Sequence, residues 1–209
     1  MTVLFVHGWG FDADFWQPVA ERLPDFRPRS LDLGFFGEPE APSVERPLVV
    51  AHSMGLAWAL ARVPRPWAGV VAVNGFARFT RCPSFIEGVA PRLVERMLNR
   101  FDAEPELVLR DFLSRCGVAA PTLDGFHHDR LRAALAWLAD CDERATLDML
   151  PCPLLALSGT RDVVVSEPMS RAAFLNRDLV LAEGAGHTLP LSHPDWVASQ
   201  IRHFAARAA

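Results

Sequence analysis

The chain has 209 residues, half of them hydrophobic, with a formal net charge of −4 and a mean hydropathy of +0.13. That length supports one well-cored domain, and the mild acidity speaks against nucleic acid or an anionic membrane as a partner. All 21 basic residues are Arg and no Tyr occurs, so hydroxyl chemistry falls to Ser, Thr or water.

The chain opens on a strand-like run, MTVLFVHGWG, without the basic segment and long apolar core of a signal peptide. No stretch approaches the roughly 18 uncharged apolar residues of a membrane span. Cys82, Cys116, Cys141 and Cys152 have neither metal-ligand spacing nor the spacing of a redox pair. They are expected to be reduced thiols in a cytoplasmic protein. No metal or organic cofactor is implied, and a monomer is expected.

Continuous apolar runs at Val3–Val6, Leu48–Ala51, Gly69–Val73, Leu154–Leu157 and Leu179–Ala182 read as parallel strands covered on both faces. A weaker run, Arg29–Leu33, lies between the first two. Helical rhythm falls between strands at Asp14–Leu23, Met54–Arg62 and Glu167–Leu175, and Asp195–Ala208 closes the chain. This alternation predicts an α/β doubly wound sheet of about six strands. From Arg78 to about Asp148 the pattern is helical, punctuated by Pro83, Pro91, Pro105 and Pro121. That segment reads as three or four helices inserted before the penultimate strand. The expected division is a core of residues 1–77 and 149–209, with a helical cap over 78–148. The stretch GFFGEPEAPSVERP, from Gly34 to Pro47, is too short and Pro-rich for a crossover helix. A loop or single turn is expected there.

In a parallel sheet, function collects at the carboxyl ends of the strands. His7-Gly8-Trp9-Gly10 follows the first strand and His52-Ser53-Met54-Gly55 the third. Ser158-Gly159-Thr160-Arg161-Asp162 follows the fifth, and Gly184-Ala185-Gly186-His187 the sixth. Alone, Ser53 could be a helix cap, Asp162 a turn residue and His187 a structural histidine. Together they occupy one sheet edge in the chain order of the α/β-hydrolase triad. Ser53 Oγ is a weak nucleophile that needs a base. His187 would take its proton, and Asp162 would hold the imidazole tautomer. The backbone N–H groups of Met54 and Trp9 would form the oxyanion hole. The sharp turn needs small residues at 51 and 55. Gly55 fits the usual G-x-S-x-G pattern, and Ala51 departs from it mildly. His52 reads as the spacer of that turn, while His7 and Asp32 read as structural.

The segments FVHGWGFDADFW, AHSMG, SGTRDVVV and GAGHTLPLSHP together resemble the α/β-hydrolase superfamily over almost the whole chain. Tryptophan in HGWG, the segment VAVNGFARFTRCPSF and the segment LRDFLSRCG resemble the pimeloyl-acyl-carrier-protein methyl ester esterases of biotin synthesis. The resemblance implies a mostly parallel sheet with helices on both faces and a helical cap. It also implies a serine carboxylesterase whose ester is carried on acyl carrier protein. Larger members carry an N-terminal antiparallel hairpin and a helix before the nucleophile that have no counterpart here. Trp9, Phe76, Phe79, Phe85, Phe112 and Cys116 are candidates for lining the acyl channel, although core packing is open for each. Arg92, Arg96 and Arg100, at i, i+4 and i+8, share one face of a cap helix. That face is either a docking site for an acidic carrier or an ordinary solvated surface. A generic short-chain esterase, lactonase or thioesterase is the alternative, and a non-catalytic scaffold is a third.

Overall fold

The computed structural model describes residues 1–208. Its six strands are β1 (Thr2–Val6), β2 (Arg27–Leu31), β3 (Leu48–His52), β4 (Gly69–Val73), β5 (Leu154–Gly159) and β6 (Asp178–Ala182). They form one sheet in the order β2-β1-β3-β4-β5-β6, with every neighbouring pair parallel. The expected α/β-hydrolase fold is therefore present.

Because side chains alternate across a strand, each central strand feeds two cores. Val3 and Phe5, Leu48 and Val50, Val71 and Val73, and Leu155 and Leu157 point to one face. Leu4 and Val6, Val49 and Ala51, Val70 and Ala72, and Leu154 and Ala156 point to the other. The first face is covered by α1 (Gln17–Ala20), α8 (Leu189–Ser192) and α9 (Pro194–Ala208). Val197, Ile201 and Phe204 supply the apolar stripe of α9. The second face is covered by α2 (Met54–Arg62) through Leu56, Ala59 and Leu60, with Phe174 at the end of α7 (Glu167–Ala173).

The edge strand β2 begins two residues earlier than its apolar content suggests. Arg27, Pro28 and Arg29 are exposed, so no buried run marks its start. Charge and proline at an edge also deter pairing with another sheet. The first helical segment is shorter than its rhythm. A 3₁₀ turn at Ala13–Trp16 runs into the four residues of α1, and Pro24 disfavours helix at Leu23. Between Gly34 and Pro47 the chain forms no helix, and Asp32 and Glu40 close a single bridge.

Four helices separate β4 from β5: α3 (Pro91–Ala103), α4 (Pro105–Arg115), α5 (His128–Asp140) and α6 (Arg144–Asp148). Proline stands in the first turn of α3 and α4, where its missing N–H costs nothing. Phe101 of α3 is fully buried and stacks on His128, with ring centroids 5.2 Å apart. Arg132 of α5 grips Asp102 of α3 with two nitrogens. The short α6 behaves differently. Its Leu147 packs beneath α2 in the second core, so the sheet-covering layer resumes there.

The two ends of this excursion are tied together. Arg78 Nη1 donates to Asp142 Oδ2 at 2.9 Å, and Glu143 N–H donates to the Ala77 carbonyl at 2.8 Å. Arg144 holds both oxygens of Asp142, at 2.8 and 2.7 Å. These Arg144 bonds, aided by Arg78 and opposed by partial burial, lower the Asp142 carboxyl from 3.8 to about 2. A carboxyl lowered in the folded state contributes stability that is complete above its unfolded value and disappears as pH falls to the folded one. Asp142→Asn should therefore flatten the fall in stability between about pH 4 and pH 2 relative to the parent chain, as read from urea midpoints. Parallel curves for the two proteins would show that the clamp does not contribute.

Candidate active site

Ser53 sits between β3 and α2 with φ 54° and ψ −126°. A side-chain-bearing residue in that region is strained. The turn is held because β1 passes directly behind it. A Cβ at Gly55 would stand 2.5 Å from the His7 carbonyl oxygen and 2.6 Å from that of Val6. Backbone cannot yield that space, so only glycine fits there. Ala51 pairs with Val6 and Ala72 across the sheet and is fully buried, so its methyl group is accommodated. Ser53 N–H donates to the Val73 carbonyl at 3.1 Å, which fixes the turn to β4.

His187 Nε2 lies 3.1 Å from Ser53 Oγ, and His187 Nδ1 lies 2.8 Å from Asp162 Oδ2. The three residues expose 5%, 1% and 6% of their surfaces for Ser53, His187 and Asp162, so the chain of contacts is closed off from water. Its polarity follows from the partners of Asp162. Oδ1 accepts the N–H groups of Val164 at 2.7 Å and Val165 at 2.9 Å. Oδ2 accepts Asn74 Nδ2 at 2.6 Å in addition to the imidazole. A carboxylate so surrounded orients His187 with Nδ1–H toward it, leaving Nε2 as the acceptor that faces the serine hydroxyl. That arrangement can abstract a proton from Ser53 and return it to a leaving group.

The acid and histidine loops are also joined through backbone. Thr160 N–H donates to the Ala182 carbonyl at 3.1 Å, and Arg161 N–H to that of Ala185 at 2.9 Å. Gly159 makes this possible, because a Cβ there would stand 2.2 Å from the Ala185 oxygen. Thr188 Oγ1 donates to the Cys116 carbonyl at 2.9 Å, linking the histidine loop to the end of α4. Burial first, then the nearby Asp162 charge, push the Cys116 thiol up to about 12. It is therefore an inert buried thiol rather than a second nucleophile.

Met54 opens α2, and Trp9 lies in the loop after β1. Among the described residues neither backbone N–H has an acceptor. The Trp9 indole is spent elsewhere: Nε1 donates to the Leu131 carbonyl at 2.8 Å, and the ring meets Phe112 edge-on at 4.9 Å. Trp9, Phe112 and Cys116 thus gather where the cap meets the β1 loop and the histidine loop. Phe76 and Phe79 pair with each other at 4.9 Å, and Phe85 lies 5.8 Å from the Arg144 guanidinium in the turn near the start of the insertion. The arginine face divides as well. Arg92 and Arg96 are exposed and have no acidic partner among the described residues. Arg100 pairs with Asp111 at 2.8 Å and Glu104 at 3.4 Å. A groove of about 260 Å³ between α2 and α5 is lined by Leu33, Trp58, Arg62 and Trp137 and includes no triad residue.

His7 and Asp32 have structural surroundings. Leu33 N–H donates to His7 Nε2 at 3.0 Å. Asp32 accepts the N–H groups of Ala13 at 2.9 Å and Gly34 at 2.7 Å. The residue that sequence reasoning passed over is Asn74. It follows β4 with φ 48°, fully buried, and reaches both Asp162 and, at 3.4 Å, the Gly186 carbonyl. Extending the strand-end rule to the fourth strand would have reached it. Asn74→Asp keeps the shape but replaces the donor by a second acid. At about pH 7 the variant should lose roughly 2 kcal/mol of stability. Urea unfolding checks this, and an unchanged midpoint would exclude the contact.

The chain is 29% identical over 97% of its length to the "Biotin biosynthesis bifunctional protein BioHC" of Cellvibrio japonicus, of which it spans 47%. It is 26% identical over 97% of its length to the "Pimeloyl-[acyl-carrier protein] methyl ester esterase" of Neisseria meningitidis, of which it spans 92%. Among solved structures, a thermophilic esterase from Thermogutta terrifontis superimposes with a TM-score of 0.79 at 22% identity, covering 100% of this chain and 90% of the other. Residues 3–200, nearly the entire chain, match the family described as the alpha/beta hydrolase family, and the protein belongs to it.

Proposed function

We propose that the protein is a serine carboxylesterase that hydrolyses the methyl ester of a carrier-bound dicarboxylic acyl chain, the pimeloyl-acyl-carrier-protein methyl ester of biotin synthesis. The reading is carried by the continuous contact from Ser53 Oγ through the His187 imidazole to Asp162. Ser53 Oγ attacks the ester carbonyl carbon while His187 Nε2 takes the hydroxyl proton. The carbonyl oxygen, now negative, is met by the free N–H groups of Trp9 and Met54. The bond to the methoxy oxygen breaks, and methanol leaves with the proton from His187. Water then attacks the acyl-Ser53 carbonyl, giving its proton to His187. Breaking the acyl–Oγ bond releases the carboxylic acid and returns the proton to Ser53.

The substrate rests on a different footing. One matched relative is named for biotin biosynthesis and another as a pimeloyl-[acyl-carrier protein] methyl ester esterase. Arg92 and Arg96 leave two unpaired charges on the exposed side of α3 for an acidic carrier. Trp9, Phe112 and Cys116 offer an apolar lining close to the triad.

Ser53→Ala should abolish p-nitrophenyl ester hydrolysis, a loss of at least about 10³-fold, while circular dichroism stays that of the parent. Surviving turnover would remove Ser53 from the mechanism. Expression should restore growth without biotin to a host lacking its own methyl ester esterase, and the Ser53→Ala protein should not. Charge reversal by Arg92→Glu with Arg96→Glu should impair a carrier-linked ester about tenfold or more while sparing small esters. Equal rates on both would favour a generic short-chain esterase.

A further inference from the structure

His52 precedes the proposed nucleophile, and its side chain does more than separate Ser53 from the strand. Its Nε2 lies 3.0 Å from the backbone carbonyl oxygen of His187. The ring is fully buried among aromatic neighbours. Phe15 lies 4.5 Å away between centroids, Phe11 5.6 Å and Trp16 6.5 Å, while the His187 ring is at 4.7 Å. Such packing leaves little rotamer freedom.

Two adjacent residues of the turn therefore hold the same residue by two different atoms. Ser53 meets the imidazole of His187, and His52 meets its carbonyl. The result is a small closed ring of covalent and hydrogen bonds. It specifies both the position of the His187 backbone and the direction of its ring relative to Ser53 Oγ. Among the described residues, no other donor reaches that carbonyl.

We propose that His52 is a positioning residue, whose Nε2–H pins the His187 carbonyl and so sets the alignment of the imidazole on the serine hydroxyl. The assignment rests on the reading of Ser53 and His187 as nucleophile and base. Two observations agree with it. His52 Nδ1 is buried without a partner, as the bare acceptor nitrogen of the Nε2–H tautomer can be. Burial, reinforced by the nearby His187 and His7, also holds the His52 pKa well below the ordinary 6.5. A neutral ring does not oppose the positive charge that His187 acquires during acyl transfer.

The test compares His52→Met, His52→Gln and His52→Asn. Met fills the space without a donor. Gln carries an amide nitrogen at about the reach of Nε2, and Asn carries one only at the reach of Nδ1. With p-nitrophenyl acetate, Met and Asn should lower kcat about 30-fold with KM within about twofold, as for a misplaced catalytic group. Gln should recover most of the loss. In the proton spectrum, the low-field His187 Nδ1–H signal, assigned by its disappearance in His187→Gln, should broaden in Met and Asn and persist in Gln. Undiminished kcat and an unchanged signal in a folded Met variant would overturn the proposal, as would Gln falling as far as Asn. If Met fails to fold, the Gln–Asn contrast decides. Should the parent protein turn over no ester at all, the esterase reading fails, while the proton signal still decides whether His52 holds His187.

Discussion

Burying one carboxylate is the constraint around which the active edge of this protein is organised. Asp162 is almost entirely shielded from water and accepts four hydrogen bonds: two from its own loop, one from Asn74 and one from His187. An unpaired charge in that position would be costly. Two of the four donors therefore tie separate segments to the same point. Asn74 brings the end of β4, and His187 brings the loop after β6. Through His187 the turn at Ser53 is joined to the set. The geometry of the candidate triad is thus largely a consequence of satisfying one acid.

The parallel sheet makes that arrangement possible. Every strand runs in the same direction, so every strand-end loop emerges at one edge. The loops are brought into contact by glycines where backbone meets backbone. Gly55 lets α2 start against β1, and Gly159 lets the acid loop lie on the histidine loop. The cap is attached to the same edge by polar contacts of residues that sit beside the site. Trp9 bonds to α5, and Thr188 bonds to the end of α4. The inserted helices therefore rest on the two loops that flank Ser53.

Much of this was legible in the residues. Five of the six strands announce themselves as continuous apolar runs. Four of them are buried almost throughout, because a strand covered on both faces has no polar side to show; β6, expected to be covered on both faces, is an edge strand and only half-buried. Met54–Arg62 has the bounds its rhythm predicts. β2 was displaced by two residues, since an edge strand with Arg and Pro has no buried run to mark it. Ser53, Asp162 and His187 stand out because each lies within a few residues of the end of an apolar run and carries a group able to attack or to move a proton. Asn74 occupies the same kind of position after β4, but its amide is neither nucleophile, acid nor base, so nothing in its chemistry marks it. The cap aromatics were the least legible. An apolar residue looks the same in sequence whether it lines a channel or fills a core, so pattern alone does not separate Phe85, in a turn beside Arg144, from Phe112, against Trp9.

By itself the sequence determined the class of fold, the order of its elements and the residue types at the sheet edge, because alternation and strand-end chemistry are local properties. Tertiary structure decided which of those residues meet. It set Ser53 in its strained turn through the backbone of a strand forty-odd residues earlier. It joined Asn74 to Asp162, and His52 to the His187 carbonyl, across separations of 88 and 135 residues. It also spent Arg100 on Asp111 and Glu104 while leaving Arg92 and Arg96 free of acidic partners among the described residues. Hydrogen bonds and ion pairs depend on distances of a few ångströms, and such distances between remote residues exist only once the chain is packed.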